Sequence, residues 1–155
     1  MEYRQLGRDG PTIPVIGFGA WPIGGGMGAI PKAEAIATIH AAIDNGITLI
    51  DTAQAYRTSE AVIGEALASR DRDDVFIASK VSGDYSRDHV VRAAEQSLRA
   101  LRTDVIDLYQ VHSWNAEYPI EKTMTAMDAL RREGKVRYVG VSNFNVDQMR
   151  QALAI

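Results

Sequence analysis

The chain has 155 residues, 46% hydrophobic and 24% charged, with a formal net charge of −3 and no cysteine. This composition is that of an ordinary globular domain; it excludes disulfides and thiolate metal sites, and it offers no basic surface for nucleic acid or an anionic membrane. No apolar run approaches the roughly 20 residues of a membrane span, and Met1-Glu2-Tyr3-Arg4 leads into no signal core, so a cytoplasmic protein with a small-molecule partner is expected.

In chain order, Tyr3 to Pro14 places two short apolar stretches around an Asp9-Gly10 turn, the pattern of a hairpin plugging one end of a fold. Val15-Ile16-Gly17-Phe18-Gly19 reads as a first buried strand, and the glycine-rich stretch from Trp21 to Ile30 as a mobile loop. A first helix is predicted from Lys32 to Asn45, with Ile36, Ile39 and Ile43 on one face and Gly46 as its stop. A second strand, Ile47–Asp51, precedes a helix capped by Thr58 or Ser59 that turns Ile63 and Leu67 inward. Val75–Ser79 is the third strand. Ser86 is placed to cap a third helix through Val90, Ala94, Leu98 and Leu101, and Val105–Val111 follows as the fourth strand. A fourth helix after Pro119 carries Met124, Met127 and Leu130 inward and stops at Gly134. The fifth strand is Val136–Val141, and Asn145 opens a fifth helix with no stop signal before Ile155.

This alternation predicts a (β/α)8 TIM-type barrel, of which residues 1–155 hold the hairpin and about five βα units as part of one domain. Five units do not close an eight-stranded barrel, so unpaired edges and an apolar face are expected. Self-association, or pairing with a missing C-terminal half, would cover them.

Four of the predicted strands finish on chemically useful side chains, Asp51, Lys80, His112 and Asn143, at intervals of 29, 32 and 31 residues. One βα unit has about that length, which puts these side chains at the same end of neighbouring parallel strands. Tyr56 lies five residues beyond Asp51, in the loop above it. Singly, each has a plain structural reading: a turn-capping Asp, a surface Tyr, a strand-end Lys, a hydrogen-bonded His. Together they suit proton delivery to a carbonyl oxygen. A free phenol keeps its proton up to a pH of about 10, and a neighbouring ammonium eases its loss. Lys80 can supply that ammonium, Asp51 can hold it charged, and His112 can orient the carbonyl.

The motifs Asp51-Thr52-Ala53-Gln54-Ala55-Tyr56, Ser79-Lys80, Asp107-Leu108-Tyr109-Gln110-Val111-His112 and Gly134-Lys135-Val136-Arg137-Tyr138-Val139-Gly140-Val141-Ser142-Asn143-Phe144 resemble those of the aldo-keto reductase family. The resemblance implies an NADPH-dependent reductase of aldehydes or ketones, with NADH the less favoured donor. It implies Tyr56 as general acid, Lys80 and Asp51 as its activating pair, and His112 as substrate orienter. It further implies that Ser142 and Asn143, with Asp51, lie against the cofactor. Family members carry three more βα units whose loops hold the cofactor's phosphates, so activity of this chain alone is not expected.

Trp21, Tyr85 and Trp114 fall in loops on the proposed active face and are candidate walls of a substrate pocket. Gly17-Phe18-Gly19-Ala20-Trp21-Pro22 is no dinucleotide fingerprint, Gly24-Gly25-Gly26-Met27-Gly28 lacks the residues of a phosphate loop, and no cluster has metal-ligand spacing. Two other functions stay open on the residues: a Schiff-base aldolase using Lys80, and a non-catalytic, nucleotide-responsive regulatory barrel.

Overall fold

The computed structural model describes residues 1–155. Strands β1 (Tyr3–Gln5) and β2 (Thr12–Pro14) form the antiparallel hairpin, in which Tyr3 faces Pro14 and Gln5 faces Thr12. Five further strands, β3 (Phe18–Gly19), β4 (Leu49–Asp51), β5 (Phe76–Val81), β6 (Ile106–Val111) and β7 (Val136–Val141), form one parallel sheet in chain order. Helices α1 (Lys32–Asp44), α2 (Ser59–Leu67), α3 (Arg87–Leu101) and α4 (Ile120–Arg132) are the crossovers, and α5 (Val146–Leu153) follows β7. Sequential βα units with all strands parallel make an open sheet of the (β/α)8-barrel type. No helix is long and apolar enough to cross a membrane.

The core lies between the sheet and its helices. Ile39 of α1, Ile63 of α2, Ile77 and Val81 of β5, Val90 of α3, Tyr109 of β6 and Met127 and Leu130 of α4 are all fully buried there. Strand alternation sends Ile77, Ser79 and Val81 toward the helices and leaves Ala78 and Lys80 on the opposite face, in register with Leu108 and Gln110. A second buried layer clamps the N-terminal strand ends. There the carboxylate of Asp107 accepts from Arg72, Arg137 and the backbone N–H of Ile77.

Two local expectations are corrected. Only Phe18 and Gly19 pair with β4, whereas Val15 and Ile16 are exposed; Val15 N–H instead donates to Glu2, extending the hairpin. Neither Thr58 nor Ser86 caps its helix with its side chain. Ser59, buried as the first residue of α2, donates its hydroxyl to the Ala20 carbonyl and pairs with Thr52 Oγ1, so the buried hydroxyl is satisfied across the fold and not at the helix end. The glycine-rich loop is organised by a 3₁₀ turn at Pro22–Gly24 and by Gly26 N–H donating to the Trp21 carbonyl. Gly24 is buried against the next active-face loop, where any Cβ would collide with the Tyr56 carbonyl. By contrast Asn145 forms a reciprocal capping box with Gln148 at the start of α5.

Along the C-terminal flank, α4, β7 and α5 enclose an open groove of about 970 Å³ lined by Met124, Val139, Val141, Met149 and Leu153.

Candidate active site

Ladder hydrogen bonds continue one residue past the strands and hold the polar tips in place. Thr52 N–H donates to Ala78, His112 N–H to Val81 and Ser142 N–H to Val111. Each strand tip is therefore fixed against its neighbour before its side chain does anything.

Lys80 projects from β5 and is only 5% exposed. A buried ammonium has to be paired and hydrogen-bonded. Its Nζ donates to Asp51 Oδ1 at 2.7 Å and to the Thr52 carbonyl at 2.8 Å, and it lies 5.3 Å from the centre of the Tyr56 ring. The short contact to Asp51 is a charge-assisted hydrogen bond. Tyr56 reaches this position because a 3₁₀ turn, Gln54–Tyr56, lifts the chain over the tip of β4. His112 meets the same ring edge to face, with centroids 5.7 Å apart. Burial and the Lys80 charge, opposed in part by Asp51, hold the His112 imidazole below its ordinary pKa, so it is neutral at pH 7. Its Nδ1 lies 2.7 Å from Ser82 Oγ.

Asp51, Tyr56, Lys80 and His112, singled out from the sequence, thus converge at one end of the sheet. Asn143 joins them: it adopts a left-handed conformation (φ 56°), and its Nδ2 donates to the His112 carbonyl at 2.8 Å and to Ser142 Oγ at 3.1 Å. The outer candidates differ among themselves. Trp21 is half exposed and packs over Gly26, where a Cβ would strike the indole. Trp114 meets Phe144 edge to face at 5.3 Å. Tyr85 is buried, packs edge-on against Tyr118, and accepts from Ser113 N–H, so it braces the loop that carries Trp114 from beneath.

Sequence reasoning missed Ser82 and the bracing hydroxyl pair of Thr52 and Ser59, which lies directly behind the carbonyl that Lys80 uses. It also missed Arg57, whose φ of 54° and ψ of −105° immediately after Tyr56 is a conformation glycine adopts more readily.

An acid, an amine, a phenol and an imidazole thus lie together at the C-terminal strand ends of a sheet of the barrel type, the face on which such barrels carry their sites. The chain belongs to the aldo/keto reductase family, whose model matches residues 15–154. It is 43% identical to the aldo-keto reductase YhdN of Bacillus subtilis (strain 168), over 96% of this chain and 49% of that protein. Among solved structures, the thermostable aldo-keto reductase Tm1743, in complex with the inhibitor epalrestat, superposes with a TM-score of 0.93 at 40% identity, covering 99% of this chain and 58% of that one. An aldo-keto reductase from Klebsiella pneumoniae in complex with NADPH gives 0.85 at 36% identity, covering 97% and 53%. The chain spans about half the length of the relatives it matches.

Proposed function

We propose that residues 1–155 form the N-terminal part of a single barrel domain that, when complete, reduces an aldehyde or ketone to an alcohol, with Tyr56 as the general acid. The observation that carries this reading is the Asp51–Lys80 pair set 5.3 Å from the Tyr56 ring. Lys80, charged and held by two acceptors, favours loss of the phenolic proton to a carbonyl oxygen. Neutral His112, edge-on to the same ring, orients that oxygen by hydrogen bonding. The commitment of Nζ to Asp51 and to the Thr52 carbonyl favours this electrostatic role over the nucleophilic one an aldolase needs.

The site's donor set fits a nicotinamide carboxamide. Asn143 spends its N–H bonds on the protein and keeps its side-chain oxygen free to accept, while Ser142 Oγ receives Asn143 and keeps its own proton to donate. NADPH, favoured over NADH by the likeness to the Klebsiella protein, would supply the hydride to the carbonyl carbon. Asp51, Ser142 and Asn143 would lie against it.

The test is NADPH consumption by the complete barrel with a panel of aldehydes and ketones. Tyr56→Phe keeps the ring and removes the donor; turnover should fall on the order of 10²-fold with cofactor affinity nearly unchanged. Turnover retained in that variant refutes the assignment. By itself the chain of 155 residues should bind NADPH weakly and associate through its apolar groove, which light scattering with a cofactor titration measures.

A further inference from the structure

Strands β5 and β6 pair with Val81 opposite Val111, so the next residues, Ser82 and His112, stand side by side as the ladder ends. Parallel neighbours in register point their side chains to the same face. Ser82 Oγ and His112 Nδ1 consequently meet at 2.7 Å, across 30 residues of sequence. The backbone carbonyl of His112 is already taken by Asn143, and the Ser82 hydroxyl has no other side-chain partner.

A neutral imidazole carries one N–H and one bare nitrogen, and the bond made at one nitrogen decides which of them keeps the proton. The charged and titratable groups around His112 are Lys80 from β5, Asp51 from β4 and the Tyr56 phenol from the turn after β4; the β7 loop contributes only the uncharged Ser142, Asn143 and Phe144. Burial and then Lys80, the larger influence of the two charges, disfavour a second proton on the ring.

We infer that Ser82 donates its hydroxyl proton to His112 Nδ1 and thereby fixes the imidazole as the Nε2–H tautomer, presenting a neutral N–H donor to the site. Ser82 is a positioning residue: it touches no reacting atom and acts through the ring it aims. The direction of the bond rests on the reading given under Proposed function, but the tautomer that tests it is read without any substrate. A ring with its proton on Nδ1 would spend that proton on Ser82 and turn a bare, repelling nitrogen toward the carbonyl oxygen.

The tautomer is read directly from long-range ¹H–¹⁵N correlations of the ¹⁵N-labelled chain, whose only other histidines are His40 and His89. At pH 7.5, His112 should show a protonated Nε2 and an acceptor-type Nδ1. In Ser82→Ala the Nδ1 signal should move to that of mixed tautomers, and the His112 titration midpoint should rise, because the lost bond had favoured the neutral ring. Ser82→Thr keeps the hydroxyl and should restore both. A protonated Nδ1 in the unmodified chain overturns the inference without any variant, and so does a Ser82→Ala spectrum indistinguishable from it. In the complete barrel, Ser82→Ala should lower kcat/KM about tenfold, with Ser82→Thr close to the parent. A complete barrel that shows the expected tautomer and yet reduces no carbonyl would refute the proposed reaction while supporting the Ser82 assignment.

Discussion

Replacing Asp107 should separate the part of this fold that holds it together from the face that carries the candidate site. Asp107 is 1% exposed near the start of β6, and its carboxylate accepts from Arg72 at 2.6 Å, Arg137 at 2.7 Å and Ile77 N–H at 2.8 Å. His112 follows the other end of the same strand, about 16 Å away at ~3.3 Å per residue. In Asp107→Ala, Ile77 N–H loses its acceptor inside a buried strand, at a cost of about 1–3 kcal/mol. Removing one partner of a buried ion pair costs about 3–5 kcal/mol. The lower end applies here, because Arg72 keeps the Val75 and Val105 carbonyls and Thr103 Oγ1, and Arg137 is half exposed with Asp73 nearby. The two charges overlap in one network, so we expect about 3 kcal/mol in total rather than the sum. Urea unfolding followed by circular dichroism measures it: with a slope of about 2 kcal/mol/M, the midpoint should fall by about 1.5 M. Asp107→Asn retains an acceptor oxygen and should lose roughly half as much. In the complete barrel, well below the melting temperature, the Asn variant should keep kcat within about twofold, since nothing it touches reaches the C-terminal face. A loss below about 1 kcal/mol in Asp107→Ala would show that the carboxylate is not the hub the geometry makes it.

Two more replacements probe strain and buried charge. Glu60 is buried and accepts from Ser79 Oγ at 2.6 Å; burial raises its pKa above the ordinary 4.5, so its stabilising effect is full below pH 4.5 and is lost as pH rises toward the folded-state value. Glu60→Gln keeps the acceptor for Ser79 and should flatten that decline in urea midpoints taken from pH 4 to pH 8; an unchanged slope would assign the effect elsewhere. Arg57→Gly should relieve about 1–3 kcal/mol of backbone strain and return about 1 kcal/mol through the looser unfolded chain. The net gain of about 1 kcal/mol should raise Tm by about 3 °C, and a lower Tm by calorimetry would refute the strain assignment.

What the sequence made legible, and what it did not, divides along one physical line. The strand Val136–Val141 matches its expected limits, α1 ends one residue short of its predicted limit at Asn45, and Asp51, Lys80 and His112 stand together around the Tyr56 ring as their spacing required. All of these are properties of one βα unit: an apolar run, a helical period, a glycine stop, a side chain at the strand tip. Repetition of the unit then makes the spacing visible. The errors concern what one unit does to another. Val15 and Ile16 form an apolar run that reads as a strand interior, but β3 lies at the sheet edge, and a run of apolar residues does not report whether a neighbour is there to cover it. Ser59 reads as a helix cap, yet its hydroxyl is bound by Ala20, 39 residues earlier. Ser82 gives no signal at all, because its partner is 30 residues away and the pair exists only in the β5–β6 register. That register follows from pairing Val81 with Val111, so once the sheet is known, Ser82 is found by counting one residue beyond each of them. Side chains at the strand tips repeat with the fold's own period, whereas the partners that hold them are fixed by contact across strands, and only the first kind can be counted from one end of the chain.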